Sequence, residues 1–206
     1  MAASSAKHRG LLALFLTARA LGAVHVSADQ PIDLDAQSFY TDGTNNVVFR
    51  KVRITQGGMT ITADLGQGQS LGPKPGTGLD FDNSLWIFRG SVKITLPDGQ
   101  LNADEAEITF SHQQLAKATA NGKQAEFQGR VGKTGKVAHG HADTIDYDAA
   151  VGVVWLLNHA WLTYGDTELR GDSLRYNVGQ NVVAEGAEPD SQRVLITITP
   201  PPPAKP

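Results

Sequence analysis

The stretch "ITQGGMTITAD" (54–64) returns as "ITLPDGQLNAD" (94–104) and again as "LTYGDTELRGD" (162–172). Each copy opens on Ile or Leu and then Thr, passes through a turn, and closes on Ala-Asp or Gly-Asp. The distance from the first aliphatic residue to the closing Asp is constant: 64−54, 104−94 and 172−162 all give 10. A catalytic constellation rarely recurs along a chain, whereas a structural unit does, so the repeat is the key to the fold. Gln56-Gly57-Gly58, Pro97-Asp98-Gly99 and Tyr164-Gly165-Asp166 are turn chemistry, because Gly and Asp tolerate the backbone geometry of a tight hairpin. Each phrase therefore reads as strand, turn, strand, with "MTITA", "QLNAD" and "TELRG" as the returning strands. A fourth, eroded copy lies at "GHADTIDY" (140–147), where Ala142-Asp143 echoes Ala63-Asp64 and Ala103-Asp104.

Around the turns the pattern has a period of two. Trp86, Phe88, Val92, Ile94 and Leu96 fall on one face of "WIFRGSVKITL", and Arg89, Ser91, Lys93 and Thr95 on the other. In "VVFRKVRIT" the same reading groups Val48, Val52 and Ile54 against Arg53 and Thr55. This alternation is that of strands buried on one side. Gly90 marks a bulge or bend. The segment "VGVVWLLNHAWL" is apolar on both faces, with Trp155 and Trp161 opposite Val154, Leu156, Ala160 and Leu162, which suits a central strand or one that faces a second partner. "GQGQSLGPKPGTG" (66–78) reads as a long Gly/Pro connection. The last alternation is "RVLITIT" (193–199), and the prolines after it cannot donate to a ladder. Strand pairs at this spacing, with no helical period between them, predict an all-β, elongated, twisted antiparallel stack of jelly-roll type, open along one side. Such a stack leaves unpaired edges at its ends, which favours assembly.

Composition narrows the function classes. The chain has 206 residues, a net charge of −3 and no cysteine. Thiol catalysis, thiolate metal sites and disulfides are excluded, and no basic stripe points to nucleic acid. At the N-terminus, Lys7 and Arg9 precede the apolar run "LLALFL" and the small-residue stretch "GAVHVSADQ". This is the layout of a secretory signal over 1–28, with cleavage after Ala23 or Ala28. The folded domain is then expected over 29–199 and a Pro-rich disordered tail over 200–206.

Candidate chemistry is thin. Asp64, Asp104, Asp143 and Asp172 could form a carboxylate ladder for Ca²⁺, but side-chain-to-backbone bonds at strand ends or turns account for them more simply. His139 and His141 share a strand face, yet a zinc site needs three or four protein ligands at recognisable spacing. "GRVGKTGK" (129–136) lacks the first glycine of a phosphate loop, since residue 127 is Phe, and reads as a polar hairpin turn. No nucleophile elbow occurs. The chain reads as a non-enzyme with no metal and no cofactor.

The repeated phrases resemble the OstA-like repeat family. The resemblance runs through "DQPIDLDAQS" (29–38), "RGSVKITLPDGQLNAD" (89–104), "NGKQAEFQ" (121–128), "GHADTIDYDAAVGVVWLLNHAWLTYGDTELRGDSLRYNV" (140–178) and "QRVLITITP" (192–200). The strand pair at 47–65 and the loop after it look like an additional repeat relative to short members. The resemblance implies a periplasmic protein that shields the acyl chains of lipopolysaccharide in an apolar interior. It also implies end-to-end self-association, an LptC-like inner-membrane partner and an LptD-like outer-membrane partner. By resemblance the lipid-binding residues include Ile32, Phe127 and Tyr147; alternation adds Phe88, Val92 and Ile94. The competing readings are an interaction module with a filled core, which bulky aromatics meeting across the sheets would mark, and a carbohydrate-modifying enzyme, which would need clustered carboxylates.

Overall fold

The structure, a computed structural model, describes residues 30–42, 46–72, 81–97, 99–131, 136–177, 182–185 and 195–198. The expected signal segment, the closing Pro-rich tail and residues 73–78 of the Gly/Pro stretch lie outside them. Twelve strands are described: β1 (Ile32–Asp35), β2 (Ser38–Asp42), β3 (Asn46–Gln56), β4 (Met59–Ser70), β5 (Asn83–Leu96), β6 (Gly99–Ser111), β7 (Gln114–Val131), β8 (Lys136–Asp148), β9 (Val153–Tyr164), β10 (Thr167–Asn177), β11 (Val182–Glu185) and β12 (Leu195–Ile198). From β3 to β10 each strand pairs antiparallel with the next, and β1 and β2 both pair with β3, β11 and β12 both with β10. The three repeated phrases are the hairpins β3–β4, β5–β6 and β9–β10. Their turns are tight: Gln56 faces Met59, Leu96 faces Gly99 and Tyr164 faces Thr167. "RVLITIT" supplies β12, which pairs with the first half of β10. β7 and β8 meet across "GRVGKTGK", with Val131 opposite Lys136.

The register breaks at one level in successive pairs. The breaks fall between Thr62 and Leu65, Arg89 and Val92, Asn102 and Glu105, Asn121 and Ala125, His141 and Thr144, and Gly171 and Ser173. Bulges bend strands and raise local twist. A row of them folds the sheet along a line, so each long strand contributes one half to each of two facing layers. One layer holds β2, the first halves of β3, β5, β7 and β9, the second halves of β4, β6, β8 and β10, and β11. The other holds β1, the complementary halves and β12. Contacts across the fold show the two layers face each other. The Phe127 ring lies 6.2 Å from that of Tyr176, and a Cβ at Gly140 would sit 2.8 Å from Leu156 Cδ2.

The closing aspartates occupy this fold line, and the expectation that they end or turn strands is corrected: Asp64, Asp104, Asp143 and Asp172 all lie inside strands. One of them accepts a backbone N–H from the facing strand rather than locally, Asp104 Oδ2 from Lys123 at 3.0 Å. Asp64 pairs with Lys51 at 2.6 Å, and Asp143 with His159 Nδ1 at 2.8 Å. The residues opposite take left-handed conformations: Lys51, Gly90, Ser91, Asn158 and His159 all have positive φ. Two such residues in β5 preserve the alternation, so Trp86, Phe88, Val92 and Ile94 stay on one buried face. In β3 only Lys51 is left-handed, and the phase slips. Val47 and Phe49, rather than Val48, join Val52 and Ile54 in the core cluster.

A second correction concerns "GQGQS" (66–70), read above as loop. It is the second half of β4, pairing with β3 and β5. Gly66 stands where a Cβ would be 2.8 Å from Val52 Cγ1 and 3.3 Å from the Phe88 ring. The glycine leaves room for the aromatics, which is one reason glycine occurs inside strands.

Candidate functional site

The interior differs between its two ends. Toward the N-terminus it is filled by rings. Trp86 stacks on Phe81 at 4.8 Å and on Phe49 and Phe88 at 5.9 Å, and Phe110 packs edge-on to Phe81 at 5.1 Å. Trp86 is fully buried, and its indole N–H donates to Ser84 Oγ at 3.2 Å, which satisfies its polar end. Gln56, also buried, donates from Nε2 to the carbonyls of Gln113 (2.8 Å) and Gln30 (3.3 Å). Gln56 ends β3 in one layer and Gln113 lies in the β6–β7 turn of the other, so this amide ties the two free edges together.

Beyond that tie lies an apolar cavity. Ile94, Leu96, Leu101 and Phe127 line it from one layer, and Leu115, Ile145, Tyr147, Val154 and Tyr176 from the other. Gln100 and Arg130 are its polar neighbours. The free space is about 70 Å³. At roughly 10–15 Å³ of such space per water-sized group, that admits a handful of methylenes. Burial raises the Tyr147 phenol above its ordinary pKa, with a smaller contribution from Asp148. Burial, helped by Tyr164, raises Tyr176 to about 12. Both phenols are therefore neutral at physiological pH, as an apolar cavity requires.

Three of the six residues expected to bind lipid meet here: Ile94, Phe127 and Tyr147. Phe88 and Val92 are buried in the packed core, and Ile32, on β1, packs against the N-terminal end of that core opposite Gln56. Sequence reasoning missed Leu101, Leu115, Ile145, Val154 and Tyr176. Alternation marks each as one face of its strand, but it does not say which faces meet across the fold.

On the outer face of the C-terminal half, His141 stacks on Trp161 at 5.0 Å and the Arg175 guanidinium lies 5.4 Å from the Trp155 ring. β9 is the central strand its two apolar faces predict, between β8 and β10. Among the described residues no group of three or more His, Asp or Glu gathers at metal-binding range, and no helix is long and apolar enough to cross a membrane.

An antiparallel stack folded along a bulge line, with an apolar cavity between its two layers, defines a two-layered all-β protein. Residues 77–182, just over half of the chain, match the family described as LptA/(LptD N-terminal domain) LPS transport protein, and the chain belongs to that family. It is 30% identical over 102 residues to the lipopolysaccharide export system protein LptA of Escherichia coli K12, a stretch covering 48% of this chain and 55% of that protein. The same figures hold for LptA of Shigella flexneri. The chain thus spans about half the length of the curated relatives it matches. Among solved structures it is similar to LptH, the LptA-homologous periplasmic component of the conserved lipopolysaccharide transport device of Pseudomonas aeruginosa. The TM-score is 0.44 and the identity 18%, over 85% of this chain and 100% of that one.

Proposed function

We propose that this protein is a periplasmic carrier that holds the acyl chains of lipopolysaccharide between its two layers and passes the lipid from the inner toward the outer membrane. The observation that carries this reading is the apolar cavity bounded by Ile94, Phe127 and Tyr147. Leu96, Leu101, Leu115, Phe127 and Tyr147 in its wall are only half-buried. A single acyl chain of a dozen carbons exposed to water costs roughly 10 kcal/mol at ~0.8 kcal/mol per methylene. Crossing an aqueous compartment therefore calls for an apolar lining, and that lining need supply area rather than directed bonds. Its continuation into neighbours is proposed to run through the stack ends, to further copies and to LptC-like and LptD-like partners. The outer edges of β1, β2, β11 and β12 pair with no other described strand, and Phe39 and Tyr40 on β2 are exposed. Unpaired edges of this kind accept an added strand.

The test is site-specific photo-crosslinking to lipopolysaccharide. A crosslinker at Phe127, Ile94 or Tyr147 is expected to capture the lipid, and one at Lys93 or Thr95 on the outward face is not. Equal capture from both faces would refute the cavity as the binding site.

A further inference from the structure

Tyr176 contradicts the rest of its cavity. It is 2% exposed, it lines the apolar space, and its hydroxyl is shut off from solvent with no hydrogen-bond partner. A buried phenol ordinarily finds a partner, and leaving one without costs about 1–3 kcal/mol. A phenylalanine would supply the same ring at no such cost. Two neighbours place the hydroxyl in context. Tyr147, Val154 and Tyr176 stand side by side in register on β8, β9 and β10, near the free edge of their layer. Tyr164 ends β9 at the free edge of the opposite layer, close enough to act electrostatically on Tyr176. Two phenols, Tyr147 and Tyr176, thus line the cavity near the strand ends with Tyr164 beside Tyr176, while Leu101 and Ile145 lie nearer the fold line. An amphipathic ring at the border between an apolar and a wet region is where tyrosine is favoured.

We propose that the Tyr176 hydroxyl donates a hydrogen bond to an oxygen at the head of a bound acyl chain, an ester or amide carbonyl or a 3-hydroxyl, and so fixes how deep the chain enters. This rests on the acyl-binding reading above. It makes Tyr176 a specificity-determining residue: the cavity distinguishes an acyl group from plain hydrocarbon. The cavity is too small for a whole chain, so the ligand reaches the hydroxyl as the layers part, and the partner missing in the free protein is supplied by the ligand.

The experiment compares the protein with its Tyr176→Phe and Tyr40→Phe variants. The probes are a long-chain fatty-acid methyl ester, its 3-hydroxy analogue and the alkane of equal length, each delivered from cyclodextrin and read by displacement of an apolar fluorescent dye. Tyr176→Phe is expected to weaken the ester or the hydroxy ester roughly 2–10-fold, as for one neutral hydrogen bond, to leave the alkane unchanged, and to leave the melting temperature equal or higher. Tyr40→Phe, on the exposed β2 and outside the cavity, keeps the wild-type ratio. Purified lipopolysaccharide and a diacyl phospholipid run beside them: weakening confined to lipopolysaccharide names that lipid as the source of the oxygen, and weakening of both names the acyl carbonyl they share. If wild type binds all probes and Tyr176→Phe preserves their ratio, the role of Tyr176 is refuted while the carrier reading stands. If wild type binds none of them, the carrier reading fails and this inference with it.

Discussion

The four aspartates show how a residue can be read correctly as structural and still be misplaced. The sequence offered side-chain-to-backbone bonding at strand ends as the reason for Asp64, Asp104, Asp143 and Asp172, but Asp104 accepts its backbone N–H from Lys123 on the facing strand. What it did not disclose is that the register slips beside each of them, because a bulge is decided by the partner strand as much as by its own residues. At the fold line Asp104 meets a backbone N–H, and Asp64 and Asp143 meet basic side chains. His159, in a left-handed conformation, is held above the ordinary imidazole pKa of 6.5, first by its hydrogen bond to Asp143 and then by the charge of that carboxylate and of Asp172. A raised folded-state pKa means that the pair's contribution is fully present below 6.5 and is lost as pH rises through the raised value. The pair is exposed, so the effect on stability is small. The titration itself is the sharper readout. In an NMR pH series, Asp143→Asn is expected to return the His159 midpoint toward that of a free imidazole, and an unmoved midpoint would mean that the pair does not form in solution.

At the scale of elements, the hairpins were legible because turn chemistry and period-two alternation agree in each phrase. The second half of β4 was not. Glycine signals a loop in isolation, but Gly66 lies beneath Phe88 and beside Val52, and only the neighbouring strands reveal that need. Gly66→Ala is expected to destabilise the fold by about 1–3 kcal/mol through overpacking, measured as a shift in the denaturant midpoint; a neutral effect would show that the rings can move aside. Gln56 presents the reverse case, a polar residue closing the phrase's first strand that the alternation gave no cause to single out. Its amide joins the two layers at the filled end. Gln56→Leu removes both hydrogen bonds and leaves the Gln113 and Gln30 carbonyls without this donor. A cost of about 1–3 kcal/mol is expected, together with faster amide exchange in the strand segments flanking the β6–β7 turn. Exchange that stays at the wild-type rate there would show that the tie does not hold the edges together.

For the molecule as a whole, one folded sheet is packed differently at its two ends. Rings close the N-terminal half, and half-buried aliphatic and aromatic residues leave a narrow cavity in the rest. The alternation of the sequence could not separate these halves, since Phe88 and Ile94 sit on the same face of the same strand and differ only in which residues stand opposite. The difference makes an energetic forecast. Trp86 is fully buried among three rings, and Trp86→Ala should cost about 3–5 kcal/mol, as for a large aromatic removed from a packed core. Phe127 faces free space and touches Tyr176 across the fold. Part of its surface is already exposed, so Phe127→Ala should cost clearly less than Trp86→Ala. The same change enlarges the cavity by most of a ring and should speed uptake of an apolar dye or of lipopolysaccharide, because the layers need to part less far. Denaturant melts give the first comparison and stopped-flow dye uptake the second. Equal stability losses at the two sites would mean that the C-terminal half is packed as tightly as the N-terminal half. Slower uptake in Phe127→Ala would mean that the ring guides the ligand inward instead of standing in its way.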